Sequence, residues 1–196
     1  MPMIHLVDDD VAVTEACQFL LESMDYSVTC WHSAEPFLSQ AALHDVGVVL
    51  LDMRMPEMDG QQVYAAMRQQ RSTLAVIFLS GHGDVPMAVT QIKQGAVDFL
   101  QKPVAVAPLT TALAQAFTVS TDLFVCHQIR CCYAELTPKE RELASYVVQG
   151  LINREIAEKM HIALRTVEVH RARVMEKMQA DSLASLVNKF YKTALA

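Results

Sequence analysis

The stretch Val48-Val49-Leu50-Leu51-Asp52-Met53-Arg54-Met55-Pro56 decides how the chain is read. Four consecutive apolar residues, two of them β-branched, specify a strand buried on both faces. A carboxylate follows at once, and Pro56 ends any regular structure. In an open α/β sheet, ligands sit just outside the carboxyl ends of the strands. Asp52 therefore stands where such a fold places its chemistry. Asp is also a common turn residue, and this stretch alone leaves both readings open.

Toward the N terminus, Met3–Val7 is a short apolar run ending in Asp8-Asp9-Asp10. From Val11 to Met24 the apolar positions 13, 16, 17, 20, 21 and 24 follow helical spacing, with Asp10 as N-cap. Ser27–Trp31 reads as a strand. Ser33 is placed to cap a helix over about 34–42, with Glu35-Pro36 in its first turn. The quoted strand itself extends over Val46–Leu51.

Toward the C terminus, Asp59-Gly60 signals a turn, and 61–70 reads as a helix with a polar face. Leu74–Leu79 is a fourth apolar strand, followed by Ser80-Gly81-His82-Gly83-Asp84. Val85–Gln94 reads as a helix stopped by Gly95. Val97–Leu100 is a fifth strand, followed by Gln101-Lys102-Pro103, and a further helix begins near Pro108. Strands alternating with helices predict parallel βαβ units, hence a doubly wound α/β domain over residues 1–118. Residues 119–133 are less regular but hold no Gly/Ser- or Pro-rich hinge. They read as a linker, partly helical.

Residues 134–196 are helical in period throughout, which predicts a separate all-α domain of four helices. Thr137-Pro138-Lys139-Glu140 supplies an N-cap, a proline at the first helical position and a capping-box glutamate, and the helix stops at Gly150. Asn153–Met160 is a short second helix and His161–Leu164 a break. Arg165–Met178 is a third helix and Ser182–Tyr191 a fourth, capped by Ser182.

Composition narrows the classes. Of the 196 residues, 52% are hydrophobic, enough for a sizeable core and too many for gross disorder. No apolar run approaches a membrane span, and Met1-Pro2-Met3-Ile4-His5 lacks the basic start of a signal peptide. The five cysteines, Cys17, Cys30, Cys126, Cys131 and Cys132, are odd in number and scattered. That pattern suits reduced thiols in the cytoplasm. The net charge of −6 is uneven: residues 1–133 carry 6 Lys+Arg against 14 Asp+Glu, and residues 134–196 carry 10 against 8. Such asymmetry suggests that the halves meet different partners.

The strands that reach one sheet edge each end in a polar residue: Asp8 and Asp9, then Asp52, Ser80 and Lys102. Three converging carboxylates repel one another unless a cation neutralises them, and hard oxygen donors suit Mg²⁺. A carboxylate is a nucleophile toward phosphorus. Mg²⁺ and a lysine ammonium neutralise charge on a transferring phosphoryl group, and a serine hydroxyl hydrogen-bonds one of its oxygens. Singly, these are a surface lysine, a turn serine and a solvated helix start; in order, each after a strand, they describe a site.

Val7-Asp8-Asp9-Asp10, Leu51-Asp52-Met53-Arg54-Met55-Pro56, Leu79-Ser80-Gly81 and Asp98-Phe99-Leu100-Gln101-Lys102-Pro103 together resemble the receiver domain of two-component response regulators. The resemblance covers residues 3 to about 118. It implies that Asp52 accepts a phosphoryl group from a sensor histidine kinase. It implies that Asp8, Asp9 and Asp52 hold Mg²⁺, with the Arg54 backbone carbonyl as a further ligand. It assigns Ser80 and Lys102 to the phosphoryl group, and Ser80 with Phe99 to a conformational switch; Phe99 reads equally well as a core aromatic. Arg54 and His82 occupy positions that vary in that family and tune phosphoryl lifetime.

Asn153–Met160, the short break and the helix from Arg165 read as helix-turn-helix. Val167, Val174 and Met178 share a core face, while Thr166, Val169, His170, Arg173 and Lys177 mark another face that carries donors. Such a helix can enter a major groove, or it can be the solvated side of a plain bundle. Leu136–Glu142, Asn153–Ala157 and Arg165–Arg171 resemble the LuxR-type DNA-binding domain, and the whole chain resembles FixJ-type regulators of the NarL/FixJ family. That implies promoter DNA as ligand, with contacts among Asn153, Arg154, Arg165, Thr166, Glu168, Val169, His170, Arg171, Arg173 and Lys177. It also implies a homodimer on phosphorylation, RNA polymerase as a partner, and no membrane partner. His161 and His170 lack partners at metal-ligand spacing. Cys126, Cys131 and Cys132 near His127 leave two readings, buried or inert thiols and, against that, a redox-sensing or metal-binding group.

Two rival functions remain at this level. A haloacid-type aspartyl-phosphate hydrolase also uses an Asp after a strand, but its pattern has a second Asp two positions on, where this chain has Arg54. The alternative output is a helical domain that binds protein or RNA. The reading taken is a regulator without enzymatic turnover.

Overall fold

A computed structural model of the chain describes residues 3–81 and 85–193. His82 lies outside the described residues. In the first half, β1 (Met3–Val7), α1 (Val11–Glu22), β2 (Ser27–Trp31), α2 (Ala34–Gln40), β3 (Gly47–Asp52), α3 (Gly60–Gln69), β4 (Ala75–Ser80), α4 (Val85–Lys93) and β5 (Asp98–Gln101) alternate as predicted. The strands form one parallel sheet in the order β2-β1-β3-β4-β5. The order reverses between β1 and β3, the switch point at which this topology opens a crevice.

Strand parity builds two cores from one sheet, because successive side chains point to opposite faces. Ile4, Leu6, Val48, Leu50, Ile77 and Leu79 join Leu21, Leu109, Leu113 and Ala116 on one face. Val7, Val49, Leu51, Val76 and Phe78 join Phe37, Val63 and Met67 on the other. All six residues of β3 are buried, as the apolar run required. Both β3 and β4 end one residue later than the apolar pattern predicts. Their last residues still pair, Asp52 with Leu79 and Ser80 with Gln101. Asp52 and Ser80 are therefore strand residues with fixed direction.

Helix starts follow the cap chemistry in most cases. Asp10 accepts from the amides of Ala12 and Val13. Asp59 and Gln62 form a reciprocal capping box on α3. Ser33 occupies the N-cap position of α2, but its hydroxyl makes no capping hydrogen bond. That part of the expectation is corrected.

Helix α5 (Val106–Ala134) runs for 29 residues without a break. It contains no glycine after its start and only Pro108, in the first turn, where proline is tolerated. By length and composition α5 suits a membrane crossing. Yet Leu109, Ala112, Leu113 and Ala116 are fully buried in the receiver-like core, and Ser120, also fully buried, is a structural latch. Its Oγ accepts from Gly47 N at 2.9 Å and donates to the Thr73 carbonyl at 2.8 Å. That end of the helix is thereby tied to the entry of β3 and the residue two positions before β4.

Contacts divide the chain into two compact units, residues 1–124 and 125–196. The second contains α6 (Pro138–Val148), α7 (Asn153–Met160), α8 (Leu164–Lys177) and α9 (Leu183–Thr193). Its core joins Ile129, Leu143, Val147, Ile156, Val167, Val174, Met178, Leu186 and Phe190. Tyr133 meets Phe190 edge-on with centroids 5.6 Å apart. Thr137 and Glu140 cap α6 reciprocally, and Ser182 accepts from Ser185 N at the start of α9.

Candidate functional site

The ends of β1 and β3 bring Asp8 and Asp52 together. Val7 pairs with Leu51, so the next residue of each strand is a carboxylate at the same level. Both follow the parity of the core formed with α1 and α5, so both project to one side of the sheet. Asp8 is fully buried, Asp52 and Ser80 are nearly so, and Asp9 is exposed. Carboxylate oxygens of Asp8, Asp9 and Asp52 lie within 4.8 Å of one another, the one cluster of three metal-capable side chains found among the described residues.

Lys102 neutralises the inner pair. Its Nζ stands 2.6 Å from Asp8 Oδ2 and 2.7 Å from Asp52 Oδ1. The Arg54 amide donates to Asp52 Oδ2 at 3.2 Å, and the Asp10 amide to Asp8 Oδ1 at 3.0 Å. Burial raises the Asp52 pKa; Lys102 and the Arg54 amide work against this and Asp8 adds to it, and the net shift is upward. Burial works against the charge on Lys102, yet its bonds to Asp52 and Asp8 outweigh it and leave the ammonium harder to deprotonate than usual. The set is thus an anionic, oxygen-rich pocket with one fixed cation. Its donors fit a hard divalent ion such as Mg²⁺.

The other predicted positions sit nearby in different roles. The Lys102 amide donates to the Ser80 carbonyl at 2.9 Å, which fixes the lysine at the end of β4. Arg54 is exposed at the rim. Phe99 is half-buried and packs on the opposite face, in the cluster of Tyr64 and Phe78. An apolar groove of about 300 Å³ adjoins Lys102, lined by Val13, Ala16, Cys17, Leu20, Pro103 and Val104.

In the second unit, α7 and α8 form the helix pair. Val167, Val174 and Met178 are buried, the core face the sequence predicted. Arg165, Thr166, Glu168, Val169 and Arg173 are exposed on α8. Arg171 Nη1 donates to Asn153 Oδ1 at 2.9 Å and ties α8 to the first residue of α7. Arg154 is exposed and pairs loosely with Glu158. His170 is half-buried, with Nδ1 sealed from solvent and unpartnered. Lys177 departs from the expectation of a DNA donor. Its ammonium is committed to Glu140 Oε2 at 2.7 Å and to the Glu135 carbonyl at 3.2 Å, so it is a structural cation.

Family models match both units: the response regulator receiver domain over residues 4–114, and the luxR family of bacterial regulatory proteins over residues 134–190. The chain is a two-component response regulator. This response regulator is 66% identical over 194 residues to the tetrathionate response regulatory protein TtrR of Salmonella typhimurium, covering 99% of this chain and 94% of that protein. It is 40% identical over 188 residues to the transcriptional regulatory protein FixJ of Bradyrhizobium diazoefficiens, covering 94% and 92%. Among solved structures it is similar to the response regulator StyR, with TM-score 0.71, 33% identity and coverage of 97% and 98%. It is also similar to full-length FixJ from B. japonicum, with TM-score 0.56, 38% identity and coverage of 100% and 98%. The flavodoxin-like receiver fold and the helical LuxR-type domain of the regulator agree with the fold read from its sequence.

Two features of the regulator escaped the sequence reading. A Cβ at Gly60 would overlap the Asp52 carbonyl oxygen, so the start of α3 reaches the backbone of Asp52 only because residue 60 is glycine. The Asp59-Gly60 pair signalled a turn but not this contact. The Asn153–Arg171 bond was hidden because the family resemblance assigned each residue separately to DNA, eighteen positions apart in the chain.

Proposed function

We propose that Asp52 is the phosphoacceptor of this regulator. The observation that carries the reading is the Asp8–Lys102–Asp52 arrangement at the switch point of the sheet. An Asp52 carboxylate oxygen attacks the phosphorus of a kinase phosphohistidine; the P–N bond breaks and the imidazole leaves with a proton. Asp8, Asp9, Asp52 and the Arg54 carbonyl would hold Mg²⁺, which when bound neutralises charge on the phosphoryl oxygens. Lys102 pairs with one phosphoryl oxygen and the Ser80 hydroxyl donates to another. Movement of Ser80 opens room for Phe99 to turn inward and alters the neighbouring surface, an electrostatic event with a remote readout.

Phosphorylation then promotes a homodimer that binds promoter DNA and engages RNA polymerase. Joining two half-site readers raises affinity without new contacts within either. The exposed donors of α8 support the DNA reading. Identity of 66% to a tetrathionate response regulatory protein supports the same stimulus for this chain, in the cytoplasm. The groove beside Lys102, with Phe19 exposed on α1, suits a kinase surface that delivers its phosphohistidine to Asp52.

The test uses the full chain, Mg²⁺ and acetyl phosphate as a small phosphodonor. Phosphorylated protein is expected to shift a duplex from the promoter of its target operon, less so as salt rises, and Asp52→Asn is expected not to respond to the donor. Steady turnover of phosphomonoesters that Asp52→Asn abolishes would instead favour the hydrolase reading. Retention of RNA or protein in place of every DNA fragment would favour the other output.

A further inference from the structure

Resting on the reading of α8 as the helix that enters DNA, we propose that Glu168 makes the operator specific for cytosine at one position of each half-site. Glu168 lies in the second turn of α8 and is exposed. On this face stand Arg165, Thr166, Val169, Ala172 and Arg173, all exposed. No hydrogen bond or ion pair holds Glu168 among the described residues. The arginines that line the same groove are engaged elsewhere: Arg171 bonds Asn153, and Arg154 pairs with Glu158.

An unpaired carboxylate is an odd group to bring against DNA. Duplex DNA carries one negative charge per about 1.7 Å of its axis, so a free carboxylate opposes binding to every sequence equally. An ionised carboxylate only accepts hydrogen bonds. In the major groove, only the cytosine N4 and adenine N6 amines donate. Adenine sets its N7 acceptor beside that amine, where it repels the second carboxylate oxygen. Cytosine has no acceptor on its own major-groove edge, so it suits Glu168 better. The repulsion from phosphates, offset at one base only, turns Glu168 into a device for rejecting other sequences.

The experiment selects binding sites from a randomised duplex library with the full-length protein, phosphorylated by acetyl phosphate in Mg²⁺, and compares wild type with Glu168→Ala and Glu168→Gln. Wild type is expected to enrich cytosine at a fixed position, with affinity falling about tenfold when that base pair is changed, the scale of one base-edge contact. In Glu168→Ala that preference disappears, the rest of the motif persists, and binding to unrelated DNA does not weaken. In Glu168→Gln the preference moves toward adenine, which an amide contacts through N6 and N7 together. An unchanged preference in Glu168→Ala overturns the proposal, as does a wild-type motif with adenine at that position. Enrichment of no motif by wild type overturns the DNA reading and this inference with it.

Discussion

The Lys102 ammonium stands 2.7 Å from Asp52 Oδ1, and its other short contact, at 2.6 Å, is Asp8 Oδ2. One cation thus separates two carboxylates that are almost wholly buried. Replacing Lys102 with Met leaves the two facing each other in a poorly solvated pocket. We expect a loss of about 1–3 kcal/mol, less than the roughly 3–5 kcal/mol of a fully buried pair, because Lys102 is 22% exposed. Added Mg²⁺ should recover more stability in Lys102→Met than in wild type. Urea denaturation with and without MgCl₂ measures both; equal Mg²⁺ effects in the two proteins would show that the lysine and the divalent ion do not share this charge.

Gly60 abuts the Asp52 backbone so closely that a methyl group has no room against the carbonyl oxygen. Gly60→Ala should therefore push α3 away from β3, at a cost of about 1–3 kcal/mol. The shift should also displace Asp52 and slow its phosphorylation by acetyl phosphate. Gly95→Ala serves as comparison, since Gly95 has positive φ and approaches the Tyr64 hydroxyl at 3.3 Å, away from the carboxylates. Comparable phosphorylation rates in the two variants would remove the link between Gly60 and the site.

Glu140 and Lys177 link the start of α6 to the end of α8. Burial disfavours the Glu140 carboxylate, but the Lys177 ammonium and the Thr137 amide outweigh it and lower its pKa to about 2. Folding thus favours the charged form. Its stabilisation is complete above the unfolded value of 4.5 and is lost as pH falls toward about 2. Glu140→Gln should cost about 1–3 kcal/mol at neutral pH, with the difference from wild type shrinking across that window. Circular dichroism at a series of pH values follows it; a difference independent of pH would assign the effect to packing.

His5 is buried and accepts a hydrogen bond from the Trp31 indole at Nδ1, 3.1 Å away. Burial lowers its pKa below 6.5, opposed by Asp45. Neutral His5 is the folded form, so its stability contribution is present above pH 6.5 and is lost as pH falls through the depressed value. Trp31 is the single tryptophan and reports on this contact. Its fluorescence should change on acidification below the ordinary histidine range, before global unfolding, and the change should be absent in His5→Phe. A transition of the same midpoint in His5→Phe would point to another group.

Much of this architecture is legible in the residues because local and long-range requirements agree there. Val48 to Leu51 is apolar on both faces because both faces are covered. Val167, Val174 and Met178 repeat at helical spacing because one face of α8 is a core. The ends of β3 and β4 were less legible, since polar Asp52 and Ser80 break the apolar pattern while backbone pairing continues. Ser33 has the right chemistry for a cap, but its hydroxyl makes no capping hydrogen bond. Helix α5 was obscure past residue 118 because its apolar side chains serve one core and then another, so no single stripe marks it. Lys177 looked like a DNA donor because its partner, Glu140, is thirty-seven residues away in the chain. Gly60 left no signal beyond a turn, since the atom it makes room for is a backbone oxygen.

The central claim is that Asp52 is the phosphorylated residue. Intact-mass spectrometry after incubation with acetyl phosphate and Mg²⁺ tests it most directly. The account predicts that wild type gains the mass of one phosphoryl group, that hydroxylamine removes it as it removes acyl phosphates, and that Asp52→Asn gains none. Full labelling of Asp52→Asn, or a label on wild type that resists hydroxylamine, would contradict it.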